Sequence, residues 1–344
     1  MNNLCLIIGA GASYDCIISD VVVSYEPGFK PPLTANIFSP SYDFLLKKYP
    51  KASTLAVEIR RALKNNPELS LEALLFKEQE KANVIRKKQI RQIPFFLREL
   101  FGLVSSRYVQ AAQTCYAMLI NQICDRAFDN ILVINLNYDT LFESALQIIS
   151  DIKFNTIDSY FNASQKWKVL KPHGSVNWIK RLVHDFPAIT SPEPNLEEID
   201  KLDDLKFDGA IQIAGINTHY LAHQGRDRCT YPCMVIPVEG KYDFCCPESH
   251  INESKELLKE CNSFLIIGSS MKDKDVEQDL LRGNITKPLK KIGFVNQMDT
   301  NLEEYHLLKN KVVGLLGPYL LFNEGFSGFI DTEKSSQFLT EACR

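Results

Sequence analysis

The run Leu4-Cys5-Leu6-Ile7-Ile8, followed at once by Gly9-Ala10-Gly11-Ala12-Ser13, constrains this chain more than any other stretch. Consecutive apolar residues leave no polar face, so a strand built from them must be covered on both sides, as strands of parallel sheets are. Gly9 and Gly11 let the backbone come close to another group. Ala10, Ala12 and Ser13 can then open a helix whose free N–H groups attract phosphate. The same pattern also suits a tight strand-to-helix turn with no ligand, because the full Gly-x-Gly-x-x-Gly fingerprint is absent.

Further strands are expected at 130–135, 169–170, 234–238, 262–267 and 291–295, most of them leading into polar residues at their carboxyl ends. Strands separated by helical stretches indicate an α/β fold, with an open, mostly parallel, Rossmann-like sheet and its site along one edge. Apolar residues from Tyr42 to Arg126 instead recur at three- and four-residue spacing, with helices expected over 82–92, 94–104 and 108–128. That is too long for a simple crossover. A helical insertion at 42–126 within a core built from 1–41 and 127–344 is expected. Residues 21–40, rich in turn formers, leave the sheet's carboxyl end and are placed over the site.

Hydrophobic residues make up 45% of the chain and charged residues 24%, so a sizeable core is expected. A net charge of −3 offers no electrostatic case for nucleic acid or a membrane surface. The basic residues between Lys77 and Arg98 read as a solvated helix face. No Lys or Arg precedes Lys30, so the apolar start lacks the flank of a secretory signal. Stretch 312–322 is broken by Gly314, Gly317 and Pro318 and is far shorter than the ~20 residues of a spanning helix. A cytoplasmic, soluble protein is expected. Cys5, Cys16, Cys115, Cys124 and Cys261 sit among apolar residues and read as reduced core thiols.

Gly9-Ala10-Gly11-Ala12-Ser13, Asn137-Tyr138-Asp139, His173-Gly174-Ser175, Gly268-Ser269-Ser270 and Asn296 follow one another in an order that resembles the SIR2-like proteins, the sirtuin superfamily. The closer resemblance is to bacterial SIR2-like NADase effectors of antiviral defence, which commonly carry Asn-Tyr-Asp and a strand end followed by aspartates, here Asp273 and Asp275. The Gly-Ile-Pro-Asp-Phe-Arg loop of deacetylating sirtuins is missing, and Pro31-Pro32-Leu33-Thr34 stands in its place.

The resemblance implies NAD as substrate and cleavage of its nicotinamide–ribose bond. That reaction develops oxocarbenium character on the ribose, so the site must grip the dinucleotide and admit one nucleophile. On this reading Gly9 to Ser13 hold the pyrophosphate, and Asn137 pins a ribose hydroxyl or aligns a water. Asp139 accepts from the nicotinamide carboxamide, and His173 takes a proton at cytoplasmic pH. Gly268, Ser269 and Asn296 meet the adenosine half. Asn-x-Asp at a strand-to-helix junction is equally an N-cap pattern.

Deacetylating sirtuins hold structural zinc on two Cys-x-x-Cys pairs. Here the corresponding interval has His219, His223, Cys229 and Cys233, then Cys245 and Cys246, with neither pair present. No metal is expected.

The activity implied is NAD hydrolysis to nicotinamide and ADP-ribose, as an effector of anti-phage defence. The alternatives are NAD-dependent deacylation or ADP-ribosyl transfer, and a non-catalytic NAD or ADP-ribose sensor acting on a partner. A hydrolase of this kind needs restraint, so a homo-oligomer or a partner ATPase or nuclease is expected, with 42–126 as the candidate surface.

Overall fold

The computed structural model describes residues 2–16, 30–66, 69–108, 114–183, 196–215, 230–236, 244–271, 273–297 and 318–344. In chain order its strands are β1 (Asn3–Ile8), β2 (Asn130–Asn135), β3 (Trp167–Leu170), β4 (Gly174–Leu182), β5 (Phe207–Ile213), β6 (Thr230–Met234), β7 (Ser263–Ile267), β8 (Lys291–Val295) and β9 (Tyr319–Phe322).

The chain divides into two compact units. One comprises Met1–Leu33, Tyr108–Pro172 and Cys246–Arg344, the other Thr34–Arg107 and His173–Cys245. The helical stretch expected over 42–126 is therefore shared between them: the helix Cys115–Cys124 belongs to the first unit, and the segment from His173 to Cys245 joins the remaining helices in the second.

The first unit holds a six-stranded sheet in the order β3-β2-β1-β7-β8-β9, with every pairing parallel. Leu6 is aligned with Val133 on one side and Leu265 on the other. Each residue of β1 and β7 is buried, which explains their unbroken apolar runs: a central strand of a parallel sheet has no face left to water. At the edge, β9 leaves Tyr319 and Leu320 exposed. Counting only this sheet's strands, the order is 3-2-1-4-5-6, the doubly wound arrangement.

The second unit packs the helices Pro50–Asn65, Leu71–Glu80 and Val84–Tyr108 with a three-stranded sheet of order β5-β4-β6, both pairings antiparallel. Arg98 is buried here. Its Nε donates to Val176 O at 3.0 Å and its Nη2 to Gly215 O at 3.1 Å, and burial lowers its pKa to about 10.

Several expectations change. The strand expected at 234–238 ends at Met234 and lies in the antiparallel sheet. Pro94 does not separate two helices, because Ile93, Phe95, Phe96 and Leu97 are all buried, and that packing carries the helix through it. Cys124 is exposed and so is not a core thiol, while Cys233 and Cys245, set apart from that group in the sequence, form a disulfide with a Cα–Cα distance of 6.1 Å. Cys5, Cys16, Cys115 and Cys261 are buried and free. Among the described residues no helix is long and apolar enough to cross a membrane.

Candidate functional site

From β1 the chain passes to β2 and β3 on one side, and it reaches β7 on the other side only afterwards. The order thus reverses between β1 and β7. Open α/β sheets bind ligands outside the carboxyl ends of their strands at such a reversal. The turns that meet there are Gly9–Ser13 after β1 and Gly268–Ser270 after β7. This is the topological switch point of the sheet.

The two turns touch through their backbones. Gly9 N–H donates to Ile267 O, Gly11 N–H to Gly268 O and Ala12 N–H to Gly9 O, each at 2.9 Å. A Cβ on Gly9 would lie 2.5 Å from Gly268 O, and one on Gly268 would lie 1.9 Å from Ala12 N. Gly268 also has φ +62, in the left-handed region. The glycines therefore seat one turn on the other. Three of the N–H groups expected to cradle phosphate are engaged inside the protein.

Ser13, in the short helix Ala10–Tyr14, is the centre of a buried polar network. Asn137 Nδ2 donates to Ser13 Oγ at 2.9 Å and to Gly9 O at 3.0 Å, which uses both amide hydrogens. Tyr116 Oη lies 3.0 Å from Ser13 Oγ. The Asp139 carboxyl also bonds the Ser13 hydroxyl. One hydroxyl has one proton, so the complete assignment has Ser13 donating to Asp139 and accepting from Asn137 and Tyr116. Tyr116 is held edge-on by Phe142 and against Phe326.

Asp139 is 2% exposed, and its Oδ1 accepts from Leu141 N–H at 3.1 Å at the start of the helix Leu141–Ile149. The N-cap position itself is Thr140, which makes no side-chain cap bond, so Asp139 closes an Asx turn just before the helix and is not its N-cap. Burial raises the pKa of Asp139, against the opposing charge of Lys171. Burial likewise pushes the Cys115 thiol up to about 12 and that of Cys16 well above its ordinary range, so neither supplies a thiolate near neutral pH.

On the β7 and β8 side, Asn296 Nδ2 donates to Ser269 O at 3.0 Å, and Ser269 Oγ accepts from Met271 N–H at 3.1 Å. Asp273 Oδ1 accepts from Val276 N–H at 3.0 Å. The structure thus brings Gly9 to Ser13, Asn137 and Asp139 into one hydrogen-bonded cluster, and Gly268, Ser269 and Asn296 into the turn beside it. His173 belongs to the second unit, in the turn that enters β4, where its carbonyl accepts from Val235 N–H at 3.0 Å.

Sequence reasoning missed Tyr116, Asn135, Glu143 and Lys171. The one available signal was a charge out of place: Glu143 within Leu141-Phe142-Glu143-Ser144-Ala145-Leu146, and Lys171 ending an apolar strand. His219, His223 and Cys229 lie outside the described residues, as do residues 21–29 of the expected covering loop. Among the described residues no group of three or more His, Cys, Asp or Glu is placed to hold a metal ion.

No family model and no curated protein matches the chain. It is similar to solved structures of Sir2 proteins. One is a Sir2 homologue in complex with NAD, with TM-score 0.43 and 10% identity over 99% of this chain and 91% of that one. Another is Sir2 with an inhibitor, 2'-O-acetyl-ADP-ribose and a deacetylated peptide, with TM-score 0.40 and 15% identity over 98% of this chain and 94% of that one. At these scores the likeness by itself decides neither activity nor substrate.

Proposed function

We propose that this chain hydrolyses NAD to nicotinamide and ADP-ribose, with the dinucleotide lying over the β1 and β7 turns. One observation carries the reading: the Gly9–Ser13 turn stands at the sheet's order reversal, with Asn137 hydrogen-bonded onto it. Because both Asn137 amide hydrogens point to Gly9 and Ser13, its carbonyl Oδ1 is the end offered to substrate. An acceptor there suits a ribose hydroxyl or the attacking water, whose partial positive hydrogens it would align as the glycosidic bond breaks. Asp139 is assigned to holding that geometry rather than to touching the nicotinamide carboxamide. The sequence resemblance assigns proton acceptance to His173, which belongs to the second unit, and the adenosine half to Gly268, Ser269 and Asn296. The cell's use of such an activity would be depletion of NAD during phage infection, restrained beforehand by self-assembly or by a partner.

Chromatography of NAD incubated with the purified protein tests this directly. Nicotinamide and ADP-ribose should form from NAD alone. Release only when an acylated peptide or acceptor protein is added would favour deacylation or ADP-ribosyl transfer instead. Calorimetric binding with no product would favour a sensor.

A further inference from the structure

Lys171 and Glu143 take no part in the proposed chemistry, yet their side chains are 0% and 3% exposed in the first unit. Burying a charge is costly unless it is paired, and even a paired one often stabilises no better than apolar residues of similar size. Their contacts suggest what the cost secures. Lys171 Nζ lies 2.7 Å from Glu143 Oε1 and donates at 2.6 Å to the main-chain oxygen of Asp139. The other carboxylate oxygen of Glu143 accepts from Asn135 Nδ2 at 3.2 Å, and Asn135 Oδ1 accepts from the N–H of Asn137 at 3.1 Å. Both ends of Asn137-Tyr138-Asp139 are therefore tied to one ion pair, the front end through Asn135 and the back end by Lys171 itself.

We propose that the Lys171–Glu143 pair is a positioning device that locks the Asn137–Asp139 segment between β3 and the helix Leu141–Ile149, fixing where Asn137 Oδ1 meets the ribose. The role deepens the hydrolase reading above and rests on it. A purely stabilising pair could be exchanged for apolar residues without loss; a positioning pair could not, because only the ammonium reaches the Asp139 carbonyl.

The test is the double variant Lys171→Met/Glu143→Leu in the full chain, which leaves no single buried charge unpaired. Its kcat for NAD should fall roughly 10- to 100-fold, the range expected for a misplaced reacting group, while KM shifts by less than about threefold. Amide hydrogen exchange across residues 135–141 should quicken. Glu143→Gln, which keeps the shape, should quicken exchange there by less, and it serves if the double variant does not fold. Wild-type kcat, or unchanged exchange in a folded variant, would overturn the proposal. Should the wild-type protein itself release no nicotinamide, the hydrolase reading fails, and the exchange measurement still judges the pair.

Discussion

Gly268 shows how a residue chosen for one reason can resemble a residue chosen for another. Glycines after β1 and β7 suggest close approach of a ligand, pyrophosphate at the first and adenosine at the second, but their immediate cause is that two backbones meet with no room for a Cβ. Gly268→Ala would place a methyl group 1.9 Å from Ala12 N at φ +62. The left-handed backbone alone costs about 1–2 kcal/mol, and displacing the neighbouring turn adds to it. Thermal unfolding should show Tm lowered by several degrees; an unchanged Tm would mean that the turns are not in contact. At this scale the strand-end residues that meet in one cluster, Gly9, Ser13, Asn137 and Asp139, could be picked out of the sequence, because glycine, asparagine and aspartate at strand ends have few uses. Their partners were not. Tyr116 lies 103 positions from Ser13, and nothing in its local pattern separates it from any other buried aromatic.

Elements were legible where one physical cause dominates. β1, β2, β7 and β8 are short apolar runs bounded by polar residues, and each forms where its pattern indicates. The antiparallel strands β4, β5 and β6 were not read as a sheet, since β5 is mostly exposed and its pairing with β4 has an irregular register. The helix Glu248–Glu260 carries a prediction of its own. His250 on its buried face stacks on Phe161, with ring centroids 5.0 Å apart, and burial lowers its pKa to about 4 from the ordinary 6.5. The folded state therefore keeps the ring neutral where the unfolded chain would take up a proton. This contribution is full above pH 6.5 and is lost as pH falls from 6.5 towards 4. His250→Phe keeps a ring against Phe161 and removes the proton. Its Tm should fall less steeply than that of the wild type over that interval, and parallel slopes would contradict the assignment.

Across the whole molecule, an open, mostly parallel sheet was legible in apolar strands with polar residues at their carboxyl ends, whereas the strand order comes from pairings between distant segments. The boundary between units was less legible. A helix such as Cys115–Cys124 looks the same in sequence whether it packs on the parallel sheet or among the other helices, and only long-range contacts place it in the first unit. The functional claim concentrates on one side chain of that unit. Asn137 directs both amide hydrogens into the protein, so its truncation should spare the grip on the dinucleotide and remove the group that aligns the attack. The most direct test is Asn137→Ala, with NAD affinity measured by calorimetry and nicotinamide release followed over time. The expected result is binding within a few-fold of wild type and turnover reduced by roughly 100-fold. Release at the wild-type rate would contradict it.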